Sequence, residues 1–412
     1  MSRDEWEVAP LGSRLLRIET GRSPSLTDSP ASPGQWGVLK VSAVHSLGYR
    51  PSENKAVDDP GLINERFEVK PGDLLFSRAN TPELVGSACI ATPSQERLML
   101  SDKTLRLVVD QHVADARFVN LSLASPTVRK RIAIGASGSS LSMQNISQAA
   151  VEGLMVGWPC LAEQQRVVEV VMTLADEEHA IVAALAKLRT VRRAVLASVI
   201  APAPGAQGGD GVVWRSVREV GEVRMGKQLS PSSRQFGTQL PYLRVANVHD
   251  RWIDYSDVKE MGFNDSERHA YQLLPGDILL NEGQSLELVG RSAIYRRGAG
   301  EFYFQNTLVR FRAGEGLLSE YAQAVFSYWL TTGVFAGIAK KTTSIAHLGG
   351  ERFAALPFPL PTLENQQHIV RTLSAWDDRI ASEEAELDKL RRLRRGLTDD
   401  LLSGKVRVRE AA

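Results

Sequence analysis

The stretch GEVRMGKQ at residues 221–228 fits a nucleotide-binding loop, G-x-x-x-x-G-K, up to its last position. Gln228 stands where a serine or threonine hydroxyl would hold magnesium, and Pro231 argues for a loop where a helix should aim its amides at phosphates. The matching stretch of the first half, ETGRSPS, lacks the lysine. A nucleotide-binding enzyme therefore stays an alternative only. Lys227 and Arg22 are read instead as cations on turns, suited to approach a phosphodiester. The seven histidines form no HExxH pair or His/Cys cluster, so no metal site is predicted. There is no G-x-S-x-G elbow, no G-x-G-x-x-G between strand and helix, and no Asn-Pro-Pro-Tyr-like stretch of an amino methyltransferase. No catalytic residue is assigned, which favours a binding protein.

Other side chains suit hydrogen bonding to base edges. KPGDLLFSRANTPELVG (70–86) reappears as LPGDILLNEGQSLELVG (274–290), with both flanks kept and the middle rewritten. The rewritten residues are Ser77, Arg78 and Asn80 in one copy and Asn281, Glu282 and Gln284 in the other. Arginine can bond guanine through two donors, asparagine or glutamine can pair with adenine, and glutamate can accept from cytosine; solvated turn residues are the plainer alternative. GVLKVSAVH (37–45) is matched by PYLRVANVH (241–249), which adds Lys40, Ser42 and His45 opposite Arg244, Asn247 and His249. Lys40 and Arg244 are cations beside strands, phosphate contacts or surface ion pairs. Lys103 and Asn306 come from the looser match of DKTLRL and QNTLVR. Ser139 and Ser140 of GASGSS face Lys341 and Thr343 of KKTTS, small hydroxyls and a cation that suit a nucleic-acid backbone.

The elements that must position these residues follow from the repeat, which fills both halves of the 412-residue chain. Each copy opens with short β-branched runs broken by glycine and proline, and carries a helical stretch, LLSEYAQAVFSYWLTTGVF in the second, which together predict an α+β domain. Each then continues as one long helix. Apolar residues fall at Val167, Val171, Leu174, Ile181, Leu185, Leu188, Val195 and Val199, and again at Ile369, Leu373, Trp376, Ile380, Leu387, Leu390, Leu397 and Leu401. Steps of three and four repeat in one shared heptad frame, so each helix offers the other a seam. Some 40 residues make a rod of roughly 60 Å. APAPGAQGGDG is a linker. The expected segments are a first domain (1–157), a central helix (158–200), the linker (201–212), a second domain (213–359) and a C-terminal helix and tail (360–405). The helices should pack as an antiparallel coiled coil with pseudo-twofold symmetry.

Composition narrows the class. With 43% hydrophobic and 24% charged residues, the chain reads as ordinary globular protein. The start, MSRDEWEVAP, has no basic-then-apolar pattern, and no run reaches the roughly 18 apolar residues of a membrane span, so a cytoplasmic protein is expected. Cys89 and Cys160 form no CxxC pair and are expected to be buried structural thiols. The formal charge of +1 is low for a chain relying on phosphate neutralisation alone. Nucleic-acid contact should then be local or shared with a partner.

Two variable domains, each ending in P-x-L-x-x-Q-Q (PCLAEQQ, PTLENQQ) and a heptad helix, the second running into LLSGKVRV, resemble the specificity subunit of type I restriction-modification systems. The resemblance covers essentially the whole chain. It implies two target-recognition domains, each reading one half of a bipartite site in double-stranded DNA, separated by antiparallel helices. It also implies that the helices dock two modification (methyltransferase) subunits, and that two restriction subunits can join through these. Glu163, Gln164, Gln165, Gln366, Gln367 and Asp377 are the candidate docking residues. S-adenosylmethionine belongs to the methyltransferase, and ATP with magnesium to the restriction subunit; none is expected in this chain. A coiled-coil scaffold without DNA specificity is the other alternative.

Overall fold

Each copy of the repeated stretch folds as a turn, a strand and a second turn. In Pro71-Gly72-Asp73 and Pro275-Gly276-Asp277 the glycines have φ of +92° and +97°, where an L side chain is strained. The aspartates then accept hydrogen bonds from the Lys70 and Leu274 N–H groups at 2.9 and 2.8 Å. The buried strands Leu74–Ser77 and Ile278–Asn281 follow. Gly86 and Gly290 close the loop by donating to the Ser77 and Asn281 carbonyls at 2.8 and 2.9 Å. A Cβ on either would lie 2.4 Å from Ile132 Cγ2 or 2.3 Å from Phe335 Cδ2. The kept flanks are therefore the frame of the fold.

This is a computed structural model, which describes residues 6–93, 95–140, 143–200, 212–230, 237–342 and 345–408. Most of the linker lies outside the described residues. The same sheets occur twice. A four-stranded antiparallel sheet runs Leu15–Thr20, Thr104–Val109, Leu74–Ser77, Ala88–Ile90 in the first half and Gly221–Met225, Leu308–Ala313, Ile278–Asn281, Ser292–Ile294 in the second. A three-stranded sheet with one parallel pairing is centred on Gly37–Leu39 in one half and on Thr238–Leu243 in the other. A second small sheet joins Ala79–Asn80, Met143–Asn145 and Ser137–Ser140; its counterpart joins Gly283–Gln284, Ala346–His347 and Lys340–Lys341. Glu7–Pro10 pairs with Met155–Trp158, and Val213–Ser216 with Pro357–Leu360, so each domain's first strand lies beside its last.

A buried arginine sits in the central strand of each large sheet. Arg106 bonds Glu19 at 2.6–2.8 Å, Asp73 at 2.7 Å and the carbonyls of Glu68 and Arg66. Burial would raise the Glu19 carboxyl, but hydrogen bonds from Arg17 and Arg106 outweigh it and hold the group below its usual range. Arg310 pairs with Glu222 at 2.9 Å, lies over the Phe304 ring and reaches the carbonyls of Ala270 and Gln272. Asp277 binds Arg312 through two contacts, at 2.6 and 2.8 Å. A buried arginine is tolerable only with such partners.

The helical stretch of the second half is the helix Ser319–Thr331, halted at Gly333 (φ +79°) before Val334–Ile338. Its Phe326 packs among Phe311, Trp329, Phe353 and Phe358. In the first half the corresponding helices are Ala116–Ala124 and Pro126–Gly135.

The chain divides into two compact units, Met1–Ile181 with Glu386–Ala412, and Val182–Ala385. The long helices, Leu161–Ile200 and Leu363–Leu402, each contribute to both. Within the first unit they run antiparallel: Glu178 meets Arg391 and Arg394 at 2.8 and 3.0 Å, and Glu163, in the first turn of one helix, meets Arg407 in the tail beyond the end of the other at 2.5 and 2.7 Å. Within the second, Arg192 meets Asp377 at 2.6 and 2.9 Å and Arg189 meets Glu384 at 2.5 Å, again antiparallel. Val167, Val171 and Leu401 join the first unit's core, and Ile369 and Leu373 the second's, as the heptad frame requires.

One cysteine departs from expectation. Cys89 is buried, and burial pushes its thiol up to about 11, whereas Cys160 is exposed. Cys160 lies in the turn before the first long helix, where its carbonyl accepts from the Glu163 and Gln164 N–H groups. No helix among the described residues is long and apolar enough to cross a membrane.

Candidate functional site

In the first unit the fold gathers Arg22, Lys40 and Lys103. Arg22 lines a cavity of about 340 Å³; Lys40, Lys55 and Lys103 line a neighbouring one of about 250 Å³; Ser23, Pro24 and Val38 line both. Lys40 leaves the strand Gly37–Leu39 and pairs with Asp28 at 2.8 Å, and Lys55 reaches the same oxygen at 3.7 Å. The hydrogen bond from Lys40 and the charges of both lysines hold the Asp28 carboxyl below its usual range. Arg244, in the matching place of the second unit, pairs with Asp257. Both capping carboxylates are exposed, Asp28 at 72% and Asp257 at 74%. Each cation is thus covered by an acid that water can reach.

The neighbouring polar residues are more occupied. Ser42 donates to Glu53 at 2.7 Å, and His45 Nδ1 accepts from the Leu47 N–H at the tip of a hairpin. His249, on the equivalent hairpin, stacks on Trp252 with ring centroids 4.2 Å apart. Asn247 is buried: it accepts from the Arg244 N–H and donates to the carbonyls of Asp254 and Asp257, knitting the turn that carries Arg244. Lys227 is satisfied by the Gly262 carbonyl at 2.7 Å, Glu267 at 2.5 Å and the Phe263 ring. The strand Gly221–Met225 precedes it, and a Cβ at Gly226 would lie 2.2 Å from the Gln305 carbonyl oxygen, so this turn is packed closely against the neighbouring backbone. Asn306 donates its N–H to the Lys227 carbonyl at 3.0 Å.

The rewritten loop divides by burial. Ser77 and Asn281 are fully buried, Asn281 donating to the Val248 carbonyl at 3.3 Å, so both are sealed inside the frame. Arg78, Asn80, Glu282 and Gln284 are half-buried. Asn80 Oδ1 and Gln284 Oε1 accept from the next residue's N–H, at 2.9 and 3.2 Å. Glu282 Oε2 lies 3.0 Å from His347 Nδ1. Lys341 is exposed on the strand Lys340–Lys341. Thr343 and the side chains of Ser139 and Ser140 lie outside the described residues.

The P-x-L-x-x-Q-Q motif has a structural role that spacing alone does not reveal. Gln164 donates to the carbonyls of Val113 and Pro159 at 3.2 and 3.0 Å and accepts from the Asp115 N–H at 3.0 Å. Gln366 donates to the carbonyls of Gly316 and Pro361 at 2.9 and 3.0 Å and accepts from the Leu318 N–H at 2.9 Å. Both are fully buried, while the second glutamines, Gln165 and Gln367, are exposed. Glu163 is buried against Arg407. Asp377 is held by Arg192 and by Arg251 at 2.7 Å; burial would raise its carboxyl, and these two hydrogen bonds bring it below the usual range. Asp28, Lys55 and Asp257 lie outside the repeated motifs, so no pattern along the chain marks them as partners of Lys40 and Arg244.

Residues 210–392 match the family model described as the type I restriction modification DNA specificity domain. The chain is similar to the "Type I restriction enzyme EcoEI specificity subunit" of Escherichia coli, 32% identical over 168 residues, or 40% of this chain and 28% of that protein. It is also similar to the "Type I restriction enzyme EcoKI specificity subunit" of Escherichia coli, 24% identical over 331 residues, 75% of this chain and 68% of the relative. A solved structure described as "Structural basis underlying complex assembly and conformational transition of the type I R-M system" matches 98% of both chains with a TM-score of 0.64 at 19% identity, a likeness of fold.

Proposed function

Because the chain belongs to the specificity subunits of type I restriction-modification systems, we propose that each of its recognition domains reads one half of a bipartite DNA site for an adenine-N6 methyltransferase. The observation that carries this reading is the doubled frame with unlike half-buried polar residues. Sheet orders, turn glycines and capping aspartates agree between halves, while Arg78 and Asn80 stand where Glu282 and Gln284 stand. One fold holding two sets of polar side chains is what reading two different half-sites requires. The chain is the non-catalytic member of its complex, and works where cytoplasmic DNA is.

The long helices dock two modification subunits, one beside each exposed glutamine, Gln165 and Gln367, and restriction subunits join through these. S-adenosylmethionine is held by the methyltransferase, and ATP with magnesium by the restriction subunit. Nucleotide binding by this chain is not favoured, since Lys227 is fully engaged by Gly262, Glu267 and Phe263. The test is to co-express the chain with its modification subunit and map N6-methyladenine across the host genome. A single motif split by a spacer of unspecified bases supports the reading; a stable complex without a motif contradicts it.

A further inference from the structure

Arg78 and Glu282 occupy one backbone position of the repeated frame. The Arg78 N–H donates to the Lys103 carbonyl at 2.9 Å, and its carbonyl accepts from the Ile146 N–H at 3.0 Å. The Glu282 N–H donates to the Thr307 carbonyl at 2.9 Å, and its carbonyl accepts from the Leu348 N–H at 2.8 Å. Each residue links a buried strand of the large sheet to a strand of the small one. The backbone is shared and the chemistry inverted: five donors at one site, a carboxylate at the other.

The surroundings point the same way. Among the described residues the Arg78 guanidinium has no hydrogen-bond or ion-pair partner, and its Nε is buried. The half-buried guanidinium is therefore left with donors for an acceptor brought from outside. Glu282 is steadied through Oε2 by His347, which leaves Oε1 as an acceptor for an outside donor. Beside each, a half-buried amide, Asn80 or Gln284, is oriented by the backbone N–H that follows it. A large apolar side chain is exposed at corresponding places on the adjoining strand or its approach, Met143 and Ile345.

We infer that Arg78 and Glu282 are corresponding base readers of opposite polarity, Arg78 selecting a guanine in one half-site and Glu282 a cytosine at the matching place of the other. The inference rests on the DNA reading proposed above. Arginine meets guanine through N7 and O6, and a carboxylate accepts from cytosine N4. The apolar neighbours suit a thymine methyl or the base edge beside it.

The test uses the full chain in its complex with the modification subunit, comparing the methylation motif of the wild type with those of Arg78→Ala and Glu282→Gln. Arg78→Ala should loosen one guanine in one half-site, and Glu282→Gln one cytosine in the other, each with about a ten-fold loss of preference and all other bases retained. As a check on the wild-type complex itself, 7-deazaguanine at the guanine that Arg78→Ala loosens should weaken binding about ten-fold. A wild-type motif that both variants leave unchanged, or loosening at bases other than guanine and cytosine, overturns this assignment while the DNA reading stands. A wild-type complex with no motif overturns both.

Discussion

Gln164 and Gln366 make the same three hydrogen bonds in the two units. Each donates to the proline carbonyl at the start of its long helix and to a loop carbonyl, and accepts from the N–H of the residue that caps a domain helix. One buried amide therefore fastens the long helix to the globular domain it serves. Removing it leaves two acceptors and one donor unsatisfied in a dry site. Gln164→Ala or Gln366→Ala should destabilise the corresponding unit by about 2–4 kcal/mol. Urea denaturation monitored in each variant checks this; a midpoint within error of the wild type would remove the clasp from the account.

Asp28 and Asp257 cover Lys40 and Arg244, which we propose as phosphate contacts once uncovered. Asp28→Asn with Asp257→Asn should free Lys40 and Arg244, raising affinity for DNA that lacks the motif and steepening log K against log salt by about 0.9 for each phosphate newly neutralised. Adding Lys40→Ala to that double variant should flatten the slope again by a similar amount. Fluorescence titration of a duplex at several salt concentrations measures both, and equal slopes in all three proteins would contradict the assignment.

Lys227 serves the fold. Lys227→Met should cost about 1–3 kcal/mol, because Glu267 and the Gly262 carbonyl lose their shared donor. ATP should leave the melting temperature of the wild-type chain unmoved. A rise with ATP that disappears in the variant would restore the nucleotide-binding alternative.

Acid should loosen the helix pairing of the first unit. A hydrogen bond from Arg391, with further bonding and charge from Arg394, outweighs burial and holds the Glu178 carboxyl below its ordinary value of 4.5. A carboxyl with a lowered folded pKa contributes stability that is fully present above the unfolded value and is lost as pH falls through the folded one. Wild-type stability should therefore decline below pH about 4.5, and Glu178→Gln should flatten that decline. Denaturation midpoints from pH 7 down to about 3 test it; parallel curves would show that Glu178 is not the group responsible.

The repeat and the heptad seam are legible because both are patterns along the chain, and PGD is legible as a turn. Arg106 and Arg310 are not, since a charge within a β run reads as surface and their partners lie far away: Glu19 and Asp73 are 87 and 33 residues from Arg106. Gln164 passes for a docking residue for the same reason, its clasp partner Val113 lying 51 residues away. Within the rewritten loop the sequence does hold a signal that residue type obscures. Ser77 and Ala79 point inward and Arg78 and Asn80 are half-exposed, the two-residue alternation of a strand. Choosing contacts by hydrogen-bonding capacity alone places Ser77 and Asn281 beside the residues that the fold leaves accessible.

The most direct measurement is a domain exchange. Residues 1–157 are replaced by the corresponding domain of another type I specificity subunit with a known motif, and N6-methyladenine is mapped after co-expression with the modification subunit. The account predicts a motif in which one half is that of the donor and the other half is unchanged. A motif that changes in both halves, or in neither, would contradict a chain built from two independent readers.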